Sequence, residues 1–549
     1  MPKLIICFAV LGLLCACGGG GGGSSGSNSS PPLTRVTTEL TVLDASPDAA
    51  VSMLDIQRAA VRLAHLGYTD ASLTSQGDCV GLGSARRSVR DLSDPDFDSL
   101  DEHLFSCSEV VDNSTVQLQM SADRGANETV LVQHTFGTAI RTMDNLVRQD
   151  TINLSPASLQ IVFQDYLSGL LFNELGLPFD ERLQVISGGL ALIENWANLS
   201  DPQPEFAVVA NRVSYAAADP LGNVSSATTG LVVRPQMGAT PPTPRPIILL
   251  AHATGSTPGD LDPANAWYLL ANLLASYGYL VIAPDNWGRG GTNDQDETYL
   301  MGHRTAENNL NLVNAVVSSA DYEDLVPVAD PLPLILIGYS QGGHTAAAIL
   351  HQLLTGQSDR YVLEGFYAGG GPYNLYATFA GVMQHLAGQC AGDAYCSTVD
   401  EAVTVPFATN RILPGLLRYT NTDLDLDDVV QGDMIAQSFV EGFTNNAASL
   451  DRLKAMLQLN SFTNLTNAQM IYASGLPTLN LYHAPLDRLV PFQNQLDWQA
   501  VLTGADVIEH TDICDGADWQ NITLLTNTVG VIHSLCGIAM MDHVVGQLR

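Results

Sequence analysis

The chain has 549 residues, 23 basic and 57 acidic, for a formal net charge of −34. Hydrophobic residues make up 46%, enough apolar surface for a large core, which excludes a disordered chain. So acidic a surface repels polyphosphates and anionic lipid, so a basic nucleic-acid interface and charge-driven membrane adhesion are excluded as functions.

In chain order the first element is a targeting segment. Lys3 precedes an apolar run, Leu4 to Leu14, of signal-peptide length and too short to span a bilayer. It ends in Leu14-Cys15-Ala16-Cys17-Gly18, which resembles a bacterial lipobox. The resemblance implies lipidation of Cys17, an anchor in the cell envelope, and outer-membrane sorting, since no Asp follows the Cys. Gly18 to Pro32 is nearly all Gly and Ser, a flexible linker. No later run is long and apolar enough to suggest a transmembrane helix. An exported chain predicts disulfides, and the six cysteines beyond the leader form three local pairs: Cys79 with Cys107, Cys390 with Cys396, and Cys514 with Cys536. That connectivity is chosen on proximity alone. No cysteine pair has zinc-type spacing with a histidine pair behind it, so no metal is expected.

Residues 33–200 form an N-terminal extension of unassigned role, with helical periodicity at Asp55 to Leu66 and Ser155 to Leu199. From about residue 206 the texture changes, and residues 201–549 read as one further domain. Phe206 to Tyr215 and Thr228 to Val233 read as strands, and Ile247 to Ala251 as a buried strand. A helix (Pro263 to Tyr277), a strand (Leu280 to Ala283) and a helix (Glu307 to Ser319) follow. Next come a strand (Leu332 to Ile337), a helix (Gly342 to Leu354) and a strand (Gly365 to Ala368). Residues 371–475 break the alternation with a mainly helical stretch, which reads as a cap. The alternation resumes with a strand at Thr478 to Tyr482, a helix at Gln493 to Leu502, a strand near Asp506 to Glu509 and a last helix at Ser534 to Leu548. Strands alternating with helices predict an α/β fold, a mostly parallel sheet covered on both faces.

The sharpest chemical signal is Gly338-Tyr339-Ser340-Gln341-Gly342, a G-x-S-x-G between a buried strand and a helix. So tight a turn leaves no room for a Cβ at Gly338 or Gly342. It lifts Ser340 above the sheet edge and aims the Gln341 N–H at a developing oxyanion. A nucleophilic serine needs a base, and the base an orienting acid. Asp487 lies in the loop after the Thr478 to Tyr482 strand, and Asp512, Asp515 and Asp518 follow a later strand and fit less well. His533 opens the last helix; His543 is the rival, two to three turns in. His344 lies in the helix below Ser340, and His483 on the strand side reads as structural. The turn His252-Ala253-Thr254-Gly255 resembles the His-Gly-x oxyanion loop of lipases and esterases, which implies the Thr254 N–H as second donor, with Ala253 the alternative. His252 reads as holding that loop and Asp285 as ordering its own. Asp423, Asp425, Asp427 and Asp428 alternate like a calcium loop, but lack its Gly and its terminal Glu and read as a solvated acidic turn.

These motifs, with the run Gly-Tyr-Leu-Val-Ile-Ala-Pro-Asp ending at Asp285, make residues from about 206 onward resemble the α/β-hydrolases, among them serine carboxylesterases and lipases of the secretory-lipase-like group and some bacterial polyester hydrolases. The resemblance implies an α/β-hydrolase fold with a helical cap and a Ser340, Asp487, His533 triad. It also implies a hydrophobic ester substrate and no cofactor. Amide hydrolysis or acyl transfer by the same triad, and a non-catalytic binding module, are the alternatives. Oligomeric state has no signature.

Overall fold

The computed structural model describes residues 146–159, 161–162, 204–220, 224–236, 243–354, 360–399, 401–419, 424–432, 434–463, 476–502, 504–515 and 531–549. It also gives the backbone of short strands between residues 35 and 136. Those early strands include a five-stranded sheet in the order Arg35–Thr37, Thr129–Phe136, Thr115–Asp123, Asp70–Gln76, Arg86–Ser88. The leader with Cys17, the linker, Cys79, Cys107, the expected Asp55 to Leu66 helix and most of the expected Ser155 to Leu199 helix lie outside the described residues.

The main sheet has nine strands. We number them β1 Val147–Leu154, β2 Val208–Ala218, β3 Val224–Pro235, β4 Ile247–Ala251, β5 Val281–Pro284, β6 Leu332–Tyr339, β7 Tyr361–Gly369, β8 Leu479–Tyr482 and β9 Val507–Glu509. Their order across the sheet is β1-β2-β3-β5-β4-β6-β7-β8-β9. β1, β2, β3 and β5 pair antiparallel, and β5, β4, β6, β7, β8 and β9 pair parallel. β1 comes from within residues 33–200, so part of that region is built into the sheet.

Side chains alternate across this sheet with period two and feed two cores. Ile247, Leu249, Leu334 and Leu336 point into one, with Leu312, Val313, Ile349, Leu350 and Trp498. Ile248, Leu250, Ile335 and Ile337 point into the other, with Trp267, Leu274, Met540 and Val544. Hence α1 Ala266–Ser276 and the C-terminal helix cover one face, while α2 Gly302–Val317, α3 Gln341–Leu354 and the Trp498 helix cover the other. Burial on both faces is why β4 and β6 are apolar without a break.

Between β7 and β8 the chain is mainly helical, as expected for a cap. It runs through α4 Leu375–Leu386, α5 Glu401–Phe407, a π-helical turn Ala408–Ile412, α6 Leu413–Tyr419, α7 Gln437–Thr444 and α8 Asp451–Leu459. α9 Gln493–Val501 and α10 Val531–Leu548 complete the set. Among the described residues no helix is long and apolar enough to cross a membrane.

Several boundaries differ from expectation: β7 begins at Tyr361 rather than Gly365, β3 at Val224 rather than Thr228, and α1 at Ala266 rather than Pro263. α2 begins at Gly302 rather than Glu307, because Arg304, Thr305 and Asn308 are buried polar residues that mask its apolar stripe. α10 begins at Val531, so His533 sits inside its first turn rather than ahead of it.

Candidate active site

The chain leaves β4 toward β5 on one side and returns on the other side as β6, so the C-terminal ends of β4 and β6 form a topological switch point. Sheets of this type bind ligands at that crevice. Ala251 pairs with Gly338 there, which brings the turns after the two strands together.

The turn after β6 carries Ser340 with φ +58°, in the left-handed region. The strain is held by its surroundings: Ser340 N donates to the Gly369 carbonyl at 2.8 Å, and His344 N donates to the Ser340 carbonyl at 3.1 Å. Close packing makes the glycines obligatory. A Cβ on Gly338 would stand 2.2 Å from the Gly342 carbonyl oxygen, and one on Gly342 would stand 2.0 Å from that of Ala251. Gln341 is the first residue of α3, where N–H groups have no intrahelical acceptor and the helix dipole favours negative charge.

The turn after β4 is fixed by His252 and Asp285. His252 Nδ1 lies 2.8 Å from the Ala253 carbonyl, and its Nε2 lies 3.0 Å from Asn286 Nδ2. A carbonyl only accepts, so Nδ1 donates to Ala253, while Nε2 lies between the Asn286 amide and the Asp285 carbonyl at 3.1 Å. Burial pushes this imidazole down, which keeps it neutral in that role. Asp285 accepts from Thr229 Oγ1 at 2.6 Å and from Gly259 N at 2.8 Å. Burial lifts its carboxyl to about 6, partly opposed by those bonds. Neither the Ala253 nor the Thr254 N–H has an acceptor among the described residues, so both remain able to donate.

Asp487 is buried in the loop after β8. Its Oδ1 accepts from Leu489 N at 2.9 Å and Val490 N at 3.0 Å. Its Oδ2 takes His533 Nδ1 at 2.6 Å. Burial pushes the carboxyl up, but His533 and the hydrogen bonds from His483 and His533 outweigh it, and the group stays well below the usual carboxylate range. His533 is buried, and its Nε2 has no hydrogen-bond partner among the described residues. Tyr339 holds the first turn of α10: its hydroxyl donates to the His533 carbonyl at 2.6 Å and its ring lies 5.0 Å from the imidazole. Burial keeps that phenol protonated.

Ser340 and His533 each pack against the Gly369-Gly370 pair. Ser340 N is bonded to the Gly369 carbonyl, and a Cβ on Gly370 would touch His533 Cε1 at 2.8 Å. Ser340, Gln341, Thr254, Asp487 and His533 are thus gathered at one end of the sheet. The other candidates are engaged elsewhere. His344 Nε2 faces the Asn460 carbonyl at 2.8 Å, and burial lowers its pKa to about 4. His543 Nδ1 pairs with Tyr482 Oη at 2.7 Å. Asp512 lies in the short helix Thr511–Asp515, while Asp518 and Asp423 lie outside the described residues. Asp425 and Asp428 form a helix capping box.

Sequence reasoning missed two features. His483 also reaches Asp487, with Nε2 at 3.4 Å from Oδ2, the oxygen that His533 takes, and 2.9 Å from the Val490 carbonyl. Its spacing of four residues from Asp487 was the available signal. The acidic loop residue Glu297 accepts from the Gln341 side-chain amide at 3.0 Å, and nothing local in the sequence marks it.

Two disulfides are present, Cys390–Cys396 and Cys514–Cys536. The second fastens the Thr511–Asp515 helix to α10 three residues after His533. His385, Cys390 and Cys396 form the one cluster of possible metal donors among the described residues, but both sulfurs are used in the disulfide.

A mixed, mostly parallel sheet with a strained serine turn at its switch point defines the α/β-hydrolase fold. Residues 248–512 match the Alpha/beta hydrolase family. The similar solved structures include a rice cell wall degrading esterase, LipA, from Xanthomonas oryzae, at 16% identity over 74% of this chain and 98% of that one, with a TM-score of 0.48. A putative hydrolase from Legionella pneumophila has 16% identity over 69% and 96%, with a TM-score of 0.42. Candida antarctica lipase A in its closed state has 15% identity over 55% and 71%, with a TM-score of 0.34. No curated protein sequence matches the chain.

Proposed function

We propose that the protein is an exported serine hydrolase of carboxylic esters, with Ser340 as nucleophile, His533 as base and Asp487 as its orienting acid. The observation that carries this reading is the 2.6 Å bond from His533 Nδ1 to a buried, ionised Asp487, with no partner for His533 Nε2 among the described residues and the imidazole packed against Gly370, next to the Gly369 whose carbonyl holds Ser340 N. Asp487 fixes the tautomer in which Nε2 can accept a proton.

Ser340 Oγ attacks the ester carbonyl while His533 Nε2 takes its proton. The N–H groups of Gln341 and Thr254 bind the oxyanion of the tetrahedral intermediate. His533 returns the proton to the leaving alcohol as the C–O bond breaks. Water, deprotonated by the same nitrogen, then cleaves the acyl-enzyme and restores Ser340. The chemistry needs no organic cofactor and no metal. Uncharged hydrophobic esters, polyesters among them, are the proposed substrates; Phe379, Phe439 and Phe443 of helices α4 and α7 are buried in a core that holds the cap together. Cys17 is the proposed lipid anchor, placing the enzyme in the cell envelope.

The test is hydrolysis of p-nitrophenyl esters from acetate to palmitate by the protein and by Ser340→Ala. Loss of turnover by roughly a thousand-fold or more in the variant is the expected result. A folded wild type inactive on every ester, with turnover of the matched anilides, overturns the ester assignment in favour of amide hydrolysis.

A further inference from the structure

Both proposed oxyanion donors are anchored by their side chains to one short segment of the loop after β5. The Gln341 side chain, 3% exposed, donates Nε2 to Glu297 Oε1 at 3.0 Å. Two residues further on, Tyr299 Oη lies 2.7 Å from Thr254 Oγ1. Glu297 and Tyr299 therefore each hold one of the two residues whose backbone N–H groups face the oxyanion.

The same segment is gripped by the cap. Glu297 Oε2 lies 3.6 Å from Arg411 Nη1, in the π-helical turn between α5 and α6. The Tyr299 ring meets Phe407 edge to face, with centroids 5.7 Å apart. The Tyr419 hydroxyl donates to the Asp296 carbonyl at 2.6 Å. Gly415 packs so closely that a Cβ there would stand 2.2 Å from the Glu297 carbonyl oxygen. Four independent contacts thus fix residues 296–299 against Phe407–Tyr419.

We infer that Glu297 and Tyr299 are positioning residues of the oxyanion hole, and that the cap segment Phe407–Tyr419 sets the geometry of the hole through them. The inference rests on the serine-esterase reading above. It has a specific electrostatic logic. A carboxylate adjoining an oxyanion site opposes the charge that forms there, and Arg411 offsets it. Glu297 is then useful as an acceptor that aims Gln341, and its charge is a liability. The two properties can be separated by substitution.

Four variants of the full chain test this: Glu297→Gln, Glu297→Ala, Arg411→Gln and Tyr299→Phe. Glu297→Gln keeps an acceptor for Gln341 and is expected to stay within about twofold of wild-type kcat. Glu297→Ala and Tyr299→Phe are expected to lower kcat about tenfold with KM nearly unchanged, less than deletion of an oxyanion donor costs. Arg411→Gln leaves the carboxylate uncompensated and is expected to lower kcat severalfold. The second readout is affinity for n-butylboronic acid, whose tetrahedral adduct on Ser340 places an oxygen in the hole. It should weaken in Glu297→Ala and Tyr299→Phe by the same factor as kcat/KM, with Tm unchanged. Wild-type kcat in both variants overturns the inference, as does a kcat loss that tracks Tm while boronate affinity holds. Should Glu297→Ala fail to fold, Tyr299→Phe, which removes one hydroxyl, decides alone. A wild type without Ser340-dependent turnover overturns the esterase reading itself and the inference with it, an outcome distinct from active but insensitive variants.

Discussion

Asp487 is the residue on which the site turns. Two backbone N–H groups of its own loop and two imidazoles, one of them from α10, converge on its buried carboxyl. Asp487→Asn presents an amide where His533 Nδ1 needs an acceptor, so kcat should fall by about 10³ to 10⁴ while the fold survives. The same substitution has a pH signature. The carboxyl is held below its unfolded-state value, so its contribution to stability is full above the ordinary carboxylate range, about pH 4, and is lost as pH falls further. The Tm gap between wild type and Asp487→Asn should therefore be widest near neutrality and narrow below about pH 4; a constant gap would sink this assignment. Asp285, raised to about 6, acts in the opposite sense: its contribution is present at low pH and fades as pH rises through that value. Ser340 was legible because the elbow needs glycine at two fixed places. The contact of His483 with Asp487 was not, because it depends on how an irregular loop turns back on itself.

At the level of elements, the elbow is a collision avoided. Gly342→Ala would push a methyl to 2.0 Å from the Ala251 carbonyl, which belongs to the strand leading into the proposed oxyanion turn. A backbone oxygen cannot swing aside like a side chain. We expect a loss of about 1–3 kcal/mol in unfolding free energy, as in other overpacked sites, with near-complete loss of activity because both turns shift; chemical denaturation beside esterase assay measures the two. Strands β4 and β6 were legible because burial on both faces demands short unbroken apolar runs. β1 was missed for the opposite reason. Its sequence Val-Arg-Gln-Asp-Thr-Ile-Asn-Leu is mostly exposed at the sheet edge, so it carries little apolar alternation and a charge typical of edge strands.

At the scale of the whole molecule, the C-terminal helix joins three things: the second core, the proposed base His533 and the Cys514–Cys536 disulfide. That bond closes a loop of 22 residues, for which chain-entropy arguments give about 3 kcal/mol. The pair Cys514→Ala and Cys536→Ala should lower the urea midpoint accordingly. It should also reduce kcat more than KM, since it loosens the helix that carries the base. An unchanged midpoint would show that packing of α10 alone holds that end of the chain.

Alternation of apolar runs and helical stripes specifies which segments must be buried and on how many faces, and that already implies a covered, mostly parallel sheet. The elbow spacing is equally local, because steric exclusion acts between neighbours in the chain. The strand order and the meeting of Ser340, Asp487 and His533 depend on how separate elements pack. So does the anchoring of Gln341 and Thr254 to Glu297 and Tyr299 under the cap. Such contacts join residues from 44 positions apart, as Gln341 to Glu297, to 194, as Tyr339 to His533. No local propensity encodes such distances; they exist only once the two cores have closed around the sheet.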